Sequence, residues 1–233
     1  MNYGEIERQT FRTFLAFSGL LITVVLIFFN ISSNFYRVSN ITYINDTGLS
    51  KASIESIKGT SIWLVDDTYF DSFYVANPSV EKITITKELP NTLVIDVTIS
   101  EKIAYIQDNR QSPPRAFVLY KNLYIDDVKT NKGLLSLKIN NGPVREGFYE
   151  EIITFVLTLK KYSINISNVN MEFDGTSILV THFNSNFDLG DPSDLARKAS
   201  VVGYYLTEEV CDGEIRLVYS EEGNEIRAVS NCN

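Results

Sequence analysis

Near the start of the chain polarity disappears: between Arg12 and Arg37 lie 24 consecutive uncharged residues, Thr13 to Tyr36, with an apolar centre from Leu20 to Phe29 broken only by Thr23. As a helix this run is about 36 Å long, enough to cross a hydrocarbon core of about 30 Å. A buried soluble helix without a polar face would need protein on every side, which an N-terminal extension of a small domain does not supply. A cleaved signal peptide is the competing reading. It calls for a shorter apolar stretch and small residues at a cleavage site, whereas Phe28, Phe29 and Ile31 are bulky and only Ser32 and Ser33 suit. The pattern predicts an uncleaved transmembrane helix over 13–36 with a cytoplasmic tail over 1–12. The charges do not decide its orientation, because Arg8 and Arg12 face Arg37 and Lys51 across the segment. The N-in arrangement rests on the short tail and the long folded portion that follows.

After Arg37 the pattern shortens its period. Ile41 and Tyr43 alternate with polar residues and meet Asn45, Asp46 and Gly48, a strand running into a turn. Ser50 is placed to cap a helix carrying Ile54 and Ile57, which Gly59 would end in a left-handed conformation. Asp66 is placed to cap a second helix with Tyr69, Phe70 and Phe73 on its apolar side, stopped by Asn77-Pro78. Strands are predicted over Val80 to Lys87 and Thr92 to Glu101, joined by Glu88-Leu89-Pro90-Asn91, where Pro90 sets one backbone angle and Asn91 suits a positive φ. Strand, helix, helix, strand, strand is a complete small core of one sheet face under two helices.

Ser112-Pro113-Pro114 interrupts the pattern and is expected as a domain junction. Short strands follow over Ala116 to Tyr120, Leu123 to Asp126 and Leu134 to Ile139, the last ending at Asn140-Asn141-Gly142-Pro143. A helix from about Glu146 to Tyr162 puts Phe148, Ile152, Phe155 and Leu159 on one stripe. Strands over Val169 to Phe173 and Ser177 to Phe183 flank Asp174-Gly175. Asp191-Pro192-Ser193-Asp194 reads as a helix start, with Asp191 as the cap and Leu195, Ala199, Val202 and Leu206 as the stripe. Strands over Glu214 to Tyr219 and Glu225 to Val229 close around Gly223-Asn224.

Several stretches resemble one family. The element order is that of a POTRA domain, and Pro78-Ser79-Val80, Leu89-Pro90-Asn91-Thr92-Leu93-Val94-Ile95-Asp96-Val97 and Glu101-Lys102-Ile103-Ala104-Tyr105 are similar to the FtsQ/DivIB proteins of bacterial cell division. Ile125-Asp126, Leu189-Gly190 and Lys198 are similar to further elements of that family. Asn45 stands where the family commonly has glycine, and Ile103 where it commonly has proline. The resemblance implies an α+β protein: a single transmembrane helix, a POTRA domain over 37–107, and a second α+β domain over 112–229 with a curved, mostly antiparallel sheet and two helices, before a tail over 230–233. It further implies a bitopic scaffold of the divisome at the cell membrane, expected at the septum, that binds FtsL/DivIC- and FtsB-like proteins and helps coordinate septal wall synthesis.

Composition narrows the function classes. Residues 1–37 carry three basic and two acidic side chains, which leaves a net charge of −9 on the rest of a chain whose total is −8. Such acidity repels phosphate backbones, so a nucleic-acid partner is not expected. Cys211 and Cys232 could pair outside the cytoplasm or stay as free thiols, and their spacing is not that of a zinc knuckle. His182 is the only histidine and reads as a surface or half-buried strand residue. No nucleophile elbow or metal-binding histidine pair accompanies it, so no enzyme activity, cofactor, metal or small-molecule substrate is expected. Adjacent carboxylates, among them Asp66-Asp67, Asp126-Asp127, Glu150-Glu151, Glu208-Glu209 and Glu221-Glu222, diverge in any regular structure and read as solvated charges. Trp63 and the 13 tyrosines read mainly as packing residues, with a sugar-stacking surface as the alternative. The candidate partner-binding site is an exposed strand edge on the C-terminal hairpin, nominated as Arg216, Val218 and Tyr219 with Arg227 beside them. Two other classes remain open: a membrane-anchored wall hydrolase or peptidase, and a sensor or transport accessory that docks through its POTRA-like domain.

Overall fold

The computed structural model describes residues 3–45, 48–128, 130, 133–219 and 225–232, with side chains from residue 11 onward. Asp46, Glu221, Glu222, Gly223, Asn224 and the side chain of Arg8 lie outside the described residues. The chain is α+β and divides into two compact units, Met1–Ile99 and Ser100–Asn233.

The first unit opens on helix α1, Tyr3–Ser32, whose Phe11–Ser32 portion is long and apolar enough to cross a membrane. Its polar residues look inward to their own backbone: Thr23, Asn30 and Ser32 donate to the carbonyls of Gly19, Leu26 and Phe28. The helix stops short of the expected Tyr36. Ser33 is extended and its Oγ accepts from the Phe35 amide, which starts a 3-10 turn over Asn34–Tyr36. The chain then follows as β1 (Asn40–Ile44), α2 (Ala52–Glu55), a 3-10 turn (Asp67–Phe70) running into α3 (Asp71–Ala76), β2 (Val80–Glu88) and β3 (Thr92–Ile99). The sheet order is β1-β3-β2, with β1 parallel and β2 antiparallel to β3. As the central strand, β3 buries Leu93, Ile95 and Val97 against Ile54, Ile57, Phe70 and Phe73. Fully burying each such side chain is worth about 1.5–3 kcal/mol.

Local chemistry in this unit departs from expectation at three points. Ser50 does not cap α2; its amide donates to Oδ1 of the buried Asn77 at 2.8 Å, while the Asn77 amide nitrogen donates to the carbonyls of Ser50 and Phe73. Asn77 therefore ends α3 and holds the β1–α2 loop together. Tyr69 is 39% exposed, outside the buried side formed by Phe70 and Phe73. Asn91 does not take the positive φ expected of it. The Leu89–Pro90 bond is cis, and the Asn91 carbonyl accepts from the Ser39 and Asn40 amides, fixing the start of β1. Asn45 does take a positive φ, 59°, and donates to Asp96 at 3.1 Å, so the amide side chain does the work of a glycine at that turn.

The second unit contains β4 (Lys102–Asp108), β5 (Arg115–Tyr120), β6 (Ile125–Asp127), β7 (Leu135–Ile139), α4 (Phe148–Lys161), β8 (Val169–Phe173), β9 (Ile178–His182), β10 (Ser185–Asp188), α5 (Leu195–Thr207), β11 (Gly213–Tyr219) and β12 (Ile226–Cys232). They form a nine-stranded sheet in the order β12-β11-β10-β9-β8-β7-β4-β5-β6, with five antiparallel and three parallel pairs. Strand β4 corrects the expected boundary at 107. It lies between β7 and β5, buries Ile103, Ala104 and Ile106 in the second core, and places Ser112-Pro113-Pro114 in a hairpin loop instead of a junction. Prolines suit a linker and a hairpin loop equally, so composition did not separate the two.

Helices α4 and α5 supply Phe148, Ile152, Phe155 and Leu159, and Leu195, Ala199 and Val202, to the same core. Asp191 does not cap α5. It accepts from the Ser193 amide, Asp194 adopts a positive φ of 53°, and the Leu195 amide donates to the Glu151 carboxylate at 2.9 Å. A carboxylate from α4 thus satisfies the positive end of α5. Gly142 and Gly175, from turns far apart in sequence, meet so closely that a Cβ on Gly142 would lie 2.3 Å from the Gly175 Cα. Asp108, buried at the end of β4, takes a bidentate contact from Arg110 (Nε 2.8 Å, Nη2 2.7 Å), and Arg110 also donates to the Gly142 carbonyl at 3.0 Å.

Gly142→Ala is expected to cost about 2 kcal/mol or more, because it combines a positive φ with a contact to backbone that cannot yield. Thermal unfolding of the full chain in detergent measures it. The Arg110 hydrogen bonds hold the Asp108 carboxyl below its ordinary value of 3.8. A depressed carboxyl contributes stability above the unfolded pKa and loses it as pH falls through the folded one. Asp108→Asn should therefore be less stable than the parent at neutral pH, by about 1–3 kcal/mol. The difference should shrink below about pH 4, as unfolding curves at both pH values would reveal.

Candidate partner-binding edge

A strand edge can bind another chain only where its backbone groups are free and unguarded. The two edges of the nine-stranded sheet differ in this respect. Strand β6 has three residues, two of them Asp126 and Asp127, and Arg115 contacts Asp127 from β5. Strand β12 has seven residues, Ile226–Cys232, of which only Arg227 is charged. In the first unit, edge strand β2 carries Glu81, Lys82, Lys87 and Glu88, and its Ile83 amide donates to the Tyr74 hydroxyl. Of these three edges β12 is the least defended.

Its own side chains hold β12 in place. Ile226 and Ala228 pack on the core, while Arg227, Val229 and Asn231 alternate outward, with Val229 62% exposed. All seven residues pair with β11, from Gly213↔Cys232 to Tyr219↔Ile226. A disulfide between Cys211 and Cys232, 21 positions apart, closes the hairpin at its open end. The Ser185 hydroxyl donates to the Cys211 carbonyl at 2.8 Å, which ties that end to β10.

The nominated residues divide between two strands. Arg216, Val218 and Tyr219 lie on β11, one strand in from the edge, and only Arg227 lies on β12, opposite Val218. Parallel pairing with β10 ends at Arg216, so Leu217, Val218 and Tyr219 pair with β12 alone. Arg216 donates to Asp188 at 3.0 Å on the exposed sheet face. Such an exposed pair adds little stability but fixes the guanidinium over β10. An open groove of about 770 Å³ runs along this face, lined by Leu179, Asn186, Asp188, Arg216 and Val229 among others. Tyr219 points the other way, toward α5, where the buried Lys198 Nζ sits 5.3 Å from its ring centroid and donates to the Asp191 carbonyl at 2.7 Å. Burial lowers the Lys198 pKa, against the opposing pull of Asp191 and Asp194. Lys198 thereby braces β11 from beneath.

Sequence reasoning missed Val229 and the whole of β10. The alternation Ile226-Arg227-Ala228-Val229 marked the outward positions, but the nomination followed the arginines and aromatics of the hairpin instead. His182 is half-buried at the end of β9 beside the Phe183 ring at 4.6 Å, and burial lowers its pKa. Among the described residues no three His, Cys, Asp or Glu side chains gather as a metal site would require.

Comparison with known proteins gives a consistent picture. Residues 37–98, from the end of the 3-10 turn through almost all of β3, match the POTRA domain, FtsQ-type, family. The cell division protein DivIB of Staphylococcus aureus strain NCTC 8325 is 36% identical over 75 residues, which is 31% of this chain and 14% of that protein. DivIB of S. aureus strain MRSA252 is 30% identical over 125 residues, 49% of this chain and 26% of that protein. DivIB of Geobacillus kaustophilus is 30% identical over 101 residues, 42% of this chain and 38% of that protein. The matches thus span well under two thirds of each relative's length.

The disulfide leads to an expected outcome. Closing a loop of this size restricts the unfolded chain by about 3 kcal/mol. Cys211→Ala/Cys232→Ala, or reduction of the parent, should lower stability by about that amount and accelerate amide exchange in β12 more than in β4. Equal acceleration in both strands would show that the bond does not act on the hairpin.

Proposed function

We propose, from the membership of this chain in the FtsQ/DivIB family, that it is a bitopic division protein whose folded units lie outside the cytoplasm and bind other bitopic division proteins, of the FtsL/DivIC and FtsB class, to coordinate septal wall synthesis. The observation that carries this reading is the β12 edge: seven residues, one charge, and a neighbour on one side only. A partner segment that adds to β12 as a further strand gains backbone hydrogen bonds, and the outward Arg227, Val229 and Asn231 together with the adjoining groove supply side-chain selection. The braced hairpin favours this, because little ordering is left to pay for on binding. Of the nominated residues, Arg227 belongs to the proposed contact directly, while Arg216 and Val218 adjoin it on the exposed face and Tyr219 supports it from within.

The placement of the folded units is supported by two features. Helix α1 is long and apolar enough to anchor the chain, and a disulfide persists where the surroundings are oxidising. Septal localisation follows from the division role and is testable with a fluorescent fusion.

Proline substitutions test strand addition. In an antiparallel pair, adjacent residues alternate between donating to the neighbour and pointing their backbone groups away. Of Val229 and Ser230, one therefore carries an outward N–H. Val229→Pro and Ser230→Pro should differ: one disturbs β11 pairing, and the other keeps the fold yet loses the partner. With tagged full-length protein purified from membranes and partners identified by mass, recovery by the folded variant should fall about tenfold, the equivalent of about 1.4 kcal/mol. Full recovery with the folded variant would refute β12 as the contact.

A further inference from the structure

The exit of α1 is joined to the first unit without a free linker. The Ile62 amide donates to the Tyr36 carbonyl at 2.8 Å, the Val38 amide to Thr60 at 2.9 Å, and the Gly59 amide to Val38 at 2.9 Å. The segment after Gly59 is therefore fixed beside the end of the helix. Its tip carries Trp63 and Leu64, 44% and 52% exposed, and the neighbouring Phe35 is 63% exposed. Tyr36 packs against Trp63 with ring centroids 5.6 Å apart, which holds the indole in place.

Trp63 faces a groove along one stripe of α1, lined by Thr23, Leu26, Ile27, Asn30 and Ile31 as well as the indole itself. These positions lie within the apolar Phe11–Ser32 span. An indole level with them lies at the depth of the C-terminal half of that span. The groove is mostly apolar, because Thr23 and Asn30 each turn a donor onto a carbonyl four residues back. Surfaces that associate with another helix in lipid commonly offer small or unsatisfied polar groups, and this one offers an apolar cleft.

We infer that Trp63 and Leu64 insert into the membrane leaflet next to the folded units, and that a lipid acyl chain occupies the groove between Trp63 and α1. The first unit is then seated on the bilayer by a second contact besides the helix. Aromatic side chains with an apolar body and a polar edge favour this interface. The tip, Thr60 to Asp67, carries no basic residue to attract anionic headgroups, so the attraction is apolar and does not call on lipid charge. The inference rests on the membrane-spanning reading of α1.

Trp63 is the only tryptophan in the chain, so the full-length protein carries its own probe. Reconstituted in phosphatidylcholine vesicles, it should show blue-shifted emission that resists acrylamide. Most of that emission should be lost when the acyl chains are brominated, with no change on adding phosphatidylglycerol. Trp63→Phe/Leu64→Trp should be quenched by the same brominated lipid. Emission typical of water that ignores brominated chains overturns the inference. So does blue-shifted emission that ignores them, since protein would then cover the groove. Trp63→Phe/Phe28→Trp separates the two readings: its quenching shows that α1 is inserted, and its failure to quench removes the membrane-spanning reading and this inference with it.

Discussion

The backbone of β12 is hydrogen-bonded along one side only, and the proposed activity of the second unit depends on keeping it so. A seven-residue edge with a single charge is exposed to unwanted pairing, and a loosely held one would fray. The unit meets both demands from behind the strand. Ile226 and Ala228 enter the core, the Cys211–Cys232 bond closes the hairpin, and Lys198 supports the Tyr219 end of β11. Support at both ends of β11 presents β12 as a preformed template, and a template already ordered loses little entropy when a partner joins it.

Two other edges show the contrast. Strand β6 is short and acidic, and β2 is lined with lysine and glutamate and has one amide occupied by Tyr74. Leaving both edges of the nine-stranded sheet equally open would invite mispairing between copies of the chain. Defending β6 and sparing β12 directs pairing to one end of that sheet. The exposed groove beside β12 then adds side-chain discrimination to an interaction that backbone hydrogen bonding alone would leave unselective.

Much of the fold was legible in the sequence because it is periodic. The strands over 80–88 and 92–99, the stripe on α4 and the apolar run of α1 are all long enough for their periods to stand out. The failures occurred where a decision is made by residues distant in sequence. Asp191 looked like a helix cap, but Glu151 from another helix satisfies the Leu195 amide, so α5 begins later. Ser50 looked like a cap, but the N-cap position of α2 falls on Lys51 and Asn77 ties down the Ser50 backbone. The double proline looked like a junction because loop composition is the same between domains as within a hairpin. Strand β10, with four residues, is too short to display alternation.

By itself the sequence determined the order of the elements apart from β4 and β10, the apolar faces that form the two cores, the anchor-like helix and, through Leu89-Pro90-Asn91-Thr92-Leu93 and its neighbours, the family resemblance. These are local properties, set by side-chain period and turn chemistry. Tertiary structure alone decided that β4 belongs to the second sheet, that Gly142 meets Gly175, that Cys211 pairs with Cys232 and that β12, not β11, forms the edge. An edge is defined by the neighbour a strand lacks, and a distant residue becomes a partner only when the chain returns to it. Neither relation is written in the period of any single segment.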